Sequence, residues 1–198
     1  MATSSNDVEV FFKDLEEEFR LAKDLLTLLK MKEVRDDIRS LRPFATLRDE
    51  IGPLRSVFKE YMNKMYNVAL PLILVYCVSS LENFLRLVWE AKIGPIPKNL
   101  RRIFSDPKEF SKVLKNRLGV EIGSLAIRAN AVAEKRHIII HNKGIVDKKA
   151  LCAFKEASIN GLQEGQRLQL TVEDVGEDIK ILEEFAVFVK KAFFDIKS

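Results

Sequence analysis

Val8, Phe11, Phe12, Leu15, Phe19, Ala22, Leu25, Leu26, Leu29 and Val34 recur at three- and four-residue spacings, with acids and lysines between them. That period lays an apolar stripe along a helix over residues 7 to about 39, and such a stripe needs other helices to cover it. Pro43, Gly52 and Pro53 mark a connection, after which a second helical pattern runs from about Ser56 to Lys92. Pro71 lies inside that pattern and predicts a kink or a restart, and the Ile93-Gly-Pro-Ile-Pro97 stretch ends it.

Asp106-Pro-Lys-Glu109 has the order of an N-cap, a proline at the first helical position and an acid closing a capping box, so a short helix is expected from Pro107 to about Arg117, ended by Leu118-Gly119. Residues 124–142 contain neither glycine nor proline, and Gly144 follows as a left-handed cap, which predicts a helix there, although three adjacent isoleucines keep a strand open. Asn160-Gly161 and Gly165 mark turns around a short extended piece, Arg167 to Leu170. Thr171 caps a last helix, over about 172–196, that bears Val172, Val175, Ile179, Leu182, Phe185, Val189 and Phe193. The sum is an all-α bundle in one domain, residues 1–198, with at most a minor extended element.

Composition removes several classes. At 47% apolar and 31% charged, the chain has the content of an ordinary globular protein rather than a disordered one. The longest uncharged run, Met65 to Leu81, includes Asn67, Pro71, Ser79 and Ser80 and falls short of the roughly 20 apolar residues of a membrane span, so a buried helix and no membrane partner are expected. The opening MATSSNDVEV lacks a basic and an apolar signal region, which points to a cytoplasmic protein with Cys77 and Cys152 as reduced thiols. The net charge of +4 is uneven: residues 61–120 hold ten cations against four acids. Lys98, Arg101 and Arg102 open this basic stretch, which suits a polyanion such as RNA or a plain solvated helix face.

Both histidines fall in Ala133-Glu-Lys-Arg-His-Ile-Ile-Ile-His-Asn-Lys-Gly-Ile-Val146. On a helix, His137 and His141 are four apart and share one face, Glu134 lies a turn earlier on the same stripe, and Arg136 has the reach to join them. Three readings compete: satisfied polar residues at the end of a buried helix, two ligands of a zinc site, or a phosphodiester site. The zinc reading lacks a third ligand nearby in sequence and any His-Glu-x-x-His pattern, so no metal or cofactor is expected. The phosphodiester reading needs a cation for charge on phosphoryl oxygens and an imidazole to move a proton near neutral pH.

KRHIIIHNKGIVDKK resembles the Arg-x4-His motif segment of HEPN-domain proteins, of the RiboL-PSP type or a related branch. YCVSSLENFLRLVWEA, residues 76–91, is similar to that family's long helix, and LTVEDVGEDIKILEEFAVFVKKAF to its closing helix. The resemblance spans most of residues 56–196, with an extra N-terminal helix. It implies a helical bundle that pairs about a two-fold axis, joining two motif segments in one composite cleft. It also implies a metal-independent endoribonuclease of a toxin–antitoxin, phage-defence or RNA-processing system, with an antitoxin or other system protein as a further partner. By position Arg136 and His141 are the implied catalytic pair, with His137 where the family often has asparagine, and Asn142 and Glu82 as further candidates. Lys143 stands where the adenylylated subgroup has tyrosine, so that regulation is not implied, and its charge suits RNA. The plain readings are a helix-end residue bonding local backbone for Asn142 and a helix-face acid or a structural partner of Arg136 for Glu82. The alternative to a nuclease is a module that keeps the bundle and binds RNA, nucleotide or a second copy without cleaving.

Overall fold

The computed structural model describes the backbone of residues 5–41 and 48–194, and side chains over 8–30, 64 and 66–193. Within these the protein is an all-α bundle of six α-helices: α1 (Ser5–Leu41), α2 (Arg48–Lys92), α3 (Pro107–Leu118), α4 (Ser124–His141), α5 (Lys148–Glu156) and α6 (Val172–Phe194). Two 3-10 turns, Lys98–Leu100 and Ile103–Ser105, link α2 to α3. The extended piece is a single antiparallel bridge between Ile145 and Arg167. Pro43 lies outside the described residues.

Helices α1 and α2 run antiparallel. The rings of Phe12 and Phe84 meet at 5.8 Å, and further along the pair the Tyr66 hydroxyl donates to the Leu29 carbonyl at 2.9 Å. Both helices pack on α6, whose Val175, Ile179, Leu182, Phe185, Val189 and Phe193 are all buried, as their spacing predicts. An aromatic cluster of Trp89, Phe104, Phe110 and Phe185 closes the end of the core where α2, the 3-10 turns, α3 and α6 meet. Fully buried rings of this size dominate the apolar contribution to a core, and their edge-to-face contacts add about 0.5–1.5 kcal/mol per pair.

Three sequence expectations change. Helix α2 begins at Arg48, so Gly52 and Pro53 lie inside it rather than in the connection. It also runs through Pro71 without a restart. A helical proline leaves one carbonyl unbonded, that of Asn67 here, and Asn67 is exposed, so water can serve it. Leu25 was placed on the apolar stripe of α1 but is about half exposed, one position off the buried line through Ala22 and Leu26. With Leu21 and Leu28 it stands at the same levels as exposed Tyr76, Leu72 and Val68 of the antiparallel α2.

The N-caps form where the sequence puts them, but the box at α3 does not close: the Asp106 N–H donates to the Ile103 carbonyl and the Glu109 carboxylate pairs with Lys112. Asp106 accepts from the Glu109 N–H at 3.0 Å ahead of Pro107, and Gly119 ends α3 at φ 69°. Thr171 Oγ1 accepts from the Asp174 N–H while the Thr171 N–H donates to the Asp174 carboxylate, a reciprocal cap at the start of α6. The segment Tyr66–Lys92 of α2, expected from its polar residues to fall short of a membrane span, is long and apolar enough to cross one, and 44% of its most apolar window is buried inside the bundle.

Candidate functional site

Helix α4 carries the histidine segment, and it is helical as the absence of glycine and proline predicts. It ends in two left-handed residues, Lys143 at φ 53° and Gly144 at φ 78°, with the Gly144 N–H donating to the Ile138 carbonyl at 2.8 Å. A left-handed Lys143 costs about 1–2 kcal/mol, so neighbouring contacts must hold it. The loop is held there by backbone bonds: the Leu168 N–H donates to the Gly144 carbonyl, and the Val146 N–H to the Gln166 carbonyl at 2.9 Å. Ile138, Val146, Ala150 and Phe154 meet Ala131 in a small second core beneath this loop.

Residues 129–135 are all buried, so the middle of α4 has no solvent face. Its charged residues must therefore find partners on the helices around it. Glu134 accepts from Lys149 of α5 at 2.6 Å. Lys135 makes a bidentate contact with Asp178 of α6, at 2.8 Å to both oxygens. Arg136 turns to Glu82 of α2, with Nη1 3.9 Å from Oε1. Three consecutive residues are thus tied to three different helices. Glu134 does not serve the histidine stripe, and no hydrogen bond or ion pair joins Arg136 to either imidazole among the described residues.

The Arg136–Glu82 pair is loose. At 3.9 Å it is beyond hydrogen-bonding range, and Arg136 Nε and Glu82 Oε1 are both buried without a hydrogen-bond partner. Burial raises the Glu82 carboxyl above its ordinary value of 4.5, while the guanidiniums of Arg136 and Arg86 pull it back down. The expectation that Glu82 partners Arg136 is met as an ion pair.

His137 and His141 do share a face, their ring centroids 4.8 Å apart. His137 is half-buried, His141 exposed. Asn142, expected to bond local backbone, instead sends its side-chain amide to Asp147 Oδ2 at 2.5 Å. The other Asp147 oxygen accepts from the Ala150 N–H at 2.8 Å and caps α5. Those two contacts and the nearby His137 hold the Asp147 carboxyl below its ordinary value, the Ala150 N–H contributing most. Sequence reading missed both Asp147 and α5. The signal was an aspartate three residues before Ala150, followed by the spacing of Ala150, Ala153 and Phe154.

Lys143 is exposed beside the imidazole face. Lys98, Arg101 and Arg102 are exposed on the two 3-10 turns, at the aromatic end of the bundle rather than on the α4–α5 loop. Among the described residues no group of three His, Cys, Asp or Glu side chains forms that could hold a metal. Cys77 is buried with its thiol pushed up to about 12, chiefly by that burial, and Cys152 is exposed; both are free thiols. No family model, no curated protein and no solved structure matches the chain.

Proposed function

We propose that the protein is a metal-independent endoribonuclease in which Arg136 and His141 act on RNA. The observation that carries this reading is the end of α4, where half-buried His137 and exposed His141 share a face and Arg136, next in sequence, has a counter-ion too distant to saturate it. In RNA the 2′-hydroxyl attacks the adjacent phosphorus as an imidazole accepts its proton. The phosphorus–5′-oxygen bond breaks, the leaving oxygen gains a proton from a second acid, and a 2′,3′-cyclic phosphate remains. Arg136 offers N–H donors to the phosphoryl oxygens, His141 accepts the proton, and His137 at 4.8 Å is the acid in reach. Asn142, held by Asp147, fixes the helix end that carries His141, and Lys143 attracts a flanking phosphate. The test is purified protein with mixed RNAs in EDTA. Cleavage that persists and leaves cyclic phosphate ends, with a matched DNA strand intact, is expected. A strict need for added divalent metal, or equal cleavage of DNA, overturns the mechanism.

Within one protomer Arg136 faces α2 while the imidazoles face the α4–α5 loop, and this separation supports a composite cleft in a homodimer, each His141 working beside the partner's Arg136. Ile140 and Ile145 stay exposed next to His141 and give such a two-fold contact its apolar area. Ile140→Lys is expected to convert dimers to monomers by light scattering at micromolar concentration, while Leu72→Lys leaves them dimeric. The opposite result would put the two-fold on the exposed leucines of α1 and α2 and remove the composite cleft. The resemblance supports a toxin–antitoxin, phage-defence or RNA-processing setting for this activity, with an antitoxin or other system protein as the proposed partner. The second reading, an RNA-binding module without cleavage, is favoured by the Arg136–Glu82 contact, which gives Arg136 a structural partner.

A further inference from the structure

Three lysines of the basic middle of the chain are paired: Lys108 contacts Glu156, Lys112 contacts Glu109, and Lys115 contacts Glu121, while exposed Lys98 forms no ion pair among the described residues. The arginines of this segment are unpaired too. Arg101, Arg102 and Arg117 are exposed and form no ion pair among the described residues. Exposed Arg86, one helical turn from Glu82, likewise forms no ion pair by contact and senses that carboxylate only at longer range. The Arg86 guanidinium lies 5.8 Å from the Phe104 ring centroid and that of Arg117 lies 5.3 Å from the Trp89 ring, and these two rings are 5.9 Å apart. Arg101 and Arg102 sit on the turn leading into Phe104. Two unpaired guanidiniums thus lie on the aromatic cluster and two more on the turn that enters it, the kind of basic surface that tracks a single-stranded backbone. Glu82, between Arg86 and Arg136, joins this end of α2 to the candidate site.

We infer that Arg86, Arg101, Arg102 and Arg117 form a phosphate track that holds the backbone of single-stranded RNA running to Arg136. The inference rests on the ribonuclease reading for its substrate, and goes beyond it by assigning the path. Two observations fix the partner's chemistry. No large hydrophobic side chain is exposed between Tyr76 and Ile140, so the patch lacks the apolar anchors that a bilayer surface requires. Trp89 and Phe104 are themselves buried, so no ring is free to stack on a base. The track therefore reads phosphates and not sequence, and it holds DNA single strands of equal length as well as RNA.

The test is fluorescence anisotropy of a 2′-O-methyl oligonucleotide of about 12 residues, which cannot be cleaved, over a range of salt. Each lost phosphate contact reduces the slope of log K against log salt by about 0.7. Arg86→Gln/Arg117→Gln and Arg101→Gln/Arg102→Gln are each expected to reduce it by about 1.4, and Lys112→Gln/Lys115→Gln to leave it in place. The Arg86/Arg117 pair also covers the aromatic cluster, so thermal melting accompanies it. The Arg101/Arg102 pair covers nothing and stands as the clean arm. An unchanged slope in the Arg101/Arg102 variant, an equal fall in the lysine variant, or binding of phosphatidylserine vesicles without binding of the oligonucleotide overturns the track. Because the probe is inert, the track can fail while cleavage by Arg136 and His141 stands, and cleavage can fail while the slopes behave as stated.

Discussion

Lys135→Ala is expected to lower the stability of the protein by about 3–5 kcal/mol, because it leaves the Asp178 carboxylate buried with no cation. Lys135 and Asp178 have side-chain exposures of only 10% and 4%, and both oxygens of the carboxylate bond the ammonium. Asp178→Ala should cost a similar amount by stranding the ammonium. The intact pair need not add that much, since two charges must leave water to form it. Burial lifts the Asp178 carboxyl above its ordinary value in spite of the adjoining Lys135, which shows desolvation outweighing the attraction. A Lys135→Met/Asp178→Leu double variant, apolar and similar in volume, should therefore recover most of the loss. Chemical denaturation measures all three. A loss under about 1 kcal/mol in both single variants would mean that the site relaxes to admit water, as at a surface pair.

That ion pair also shows where sequence reading reaches its limit. Periodicity reports a helix face only when one side meets water and the other meets the core, as in α1 and α6, and there most of the expected positions are buried or half-buried, the Val34 side chain lying outside the described residues. Leu25 failed because one step around α1 separates a buried from an exposed position. Helix α4 is surrounded by α2, α3, α5 and α6, so Ala129 to Lys135 are buried in succession and no period survives. Spacing put His137 beside His141 correctly, but it could not show that Glu134, Lys135 and Arg136 turn to three different helices. Caps were legible because they depend on a few adjacent residues, as at Asp106 and Thr171. Helix α5 went unread because nine residues offer little period and its cap, Asp147, looked like the tail of the histidine segment. Pro71 does not restart the helix because a single lost backbone bond is small beside the apolar contacts on either side of it.

His141→Ala is expected to reduce RNA cleavage by about 10²–10⁴-fold, the usual contribution of a positioned acid or base, while stability stays within about 0.5 kcal/mol. His141 is exposed, so little packing goes with it. Arg136→Ala should also stop cleavage, but it removes a cation from half-buried Glu82, and a loss of activity could then be a loss of fold. With side-chain exposures of 23% and 15% and a separation of 3.9 Å, that pair falls between the about 0–1 kcal/mol of a surface pair and the about 3–5 of a buried one. Glu82→Gln separates the two effects. The Glu82 carboxyl is raised above 4.5 in the folded protein, so the folded state binds its proton more tightly than the unfolded one does. Its contribution to stability is therefore complete below that ordinary value and is lost as pH rises through the folded value. Glu82→Gln abolishes that loss and should gain on the wild type as pH rises above 4.5. In Glu82→Gln/Arg136→Ala no carboxylate is stranded, so stability should return toward the wild-type level while cleavage stays absent. Single-turnover cleavage and thermal melting on the four proteins decide the matter. Wild-type cleavage by folded His141→Ala, or cleavage restored together with stability in the double variant, would leave Arg136 and His141 as parts of the bundle and not of an active site.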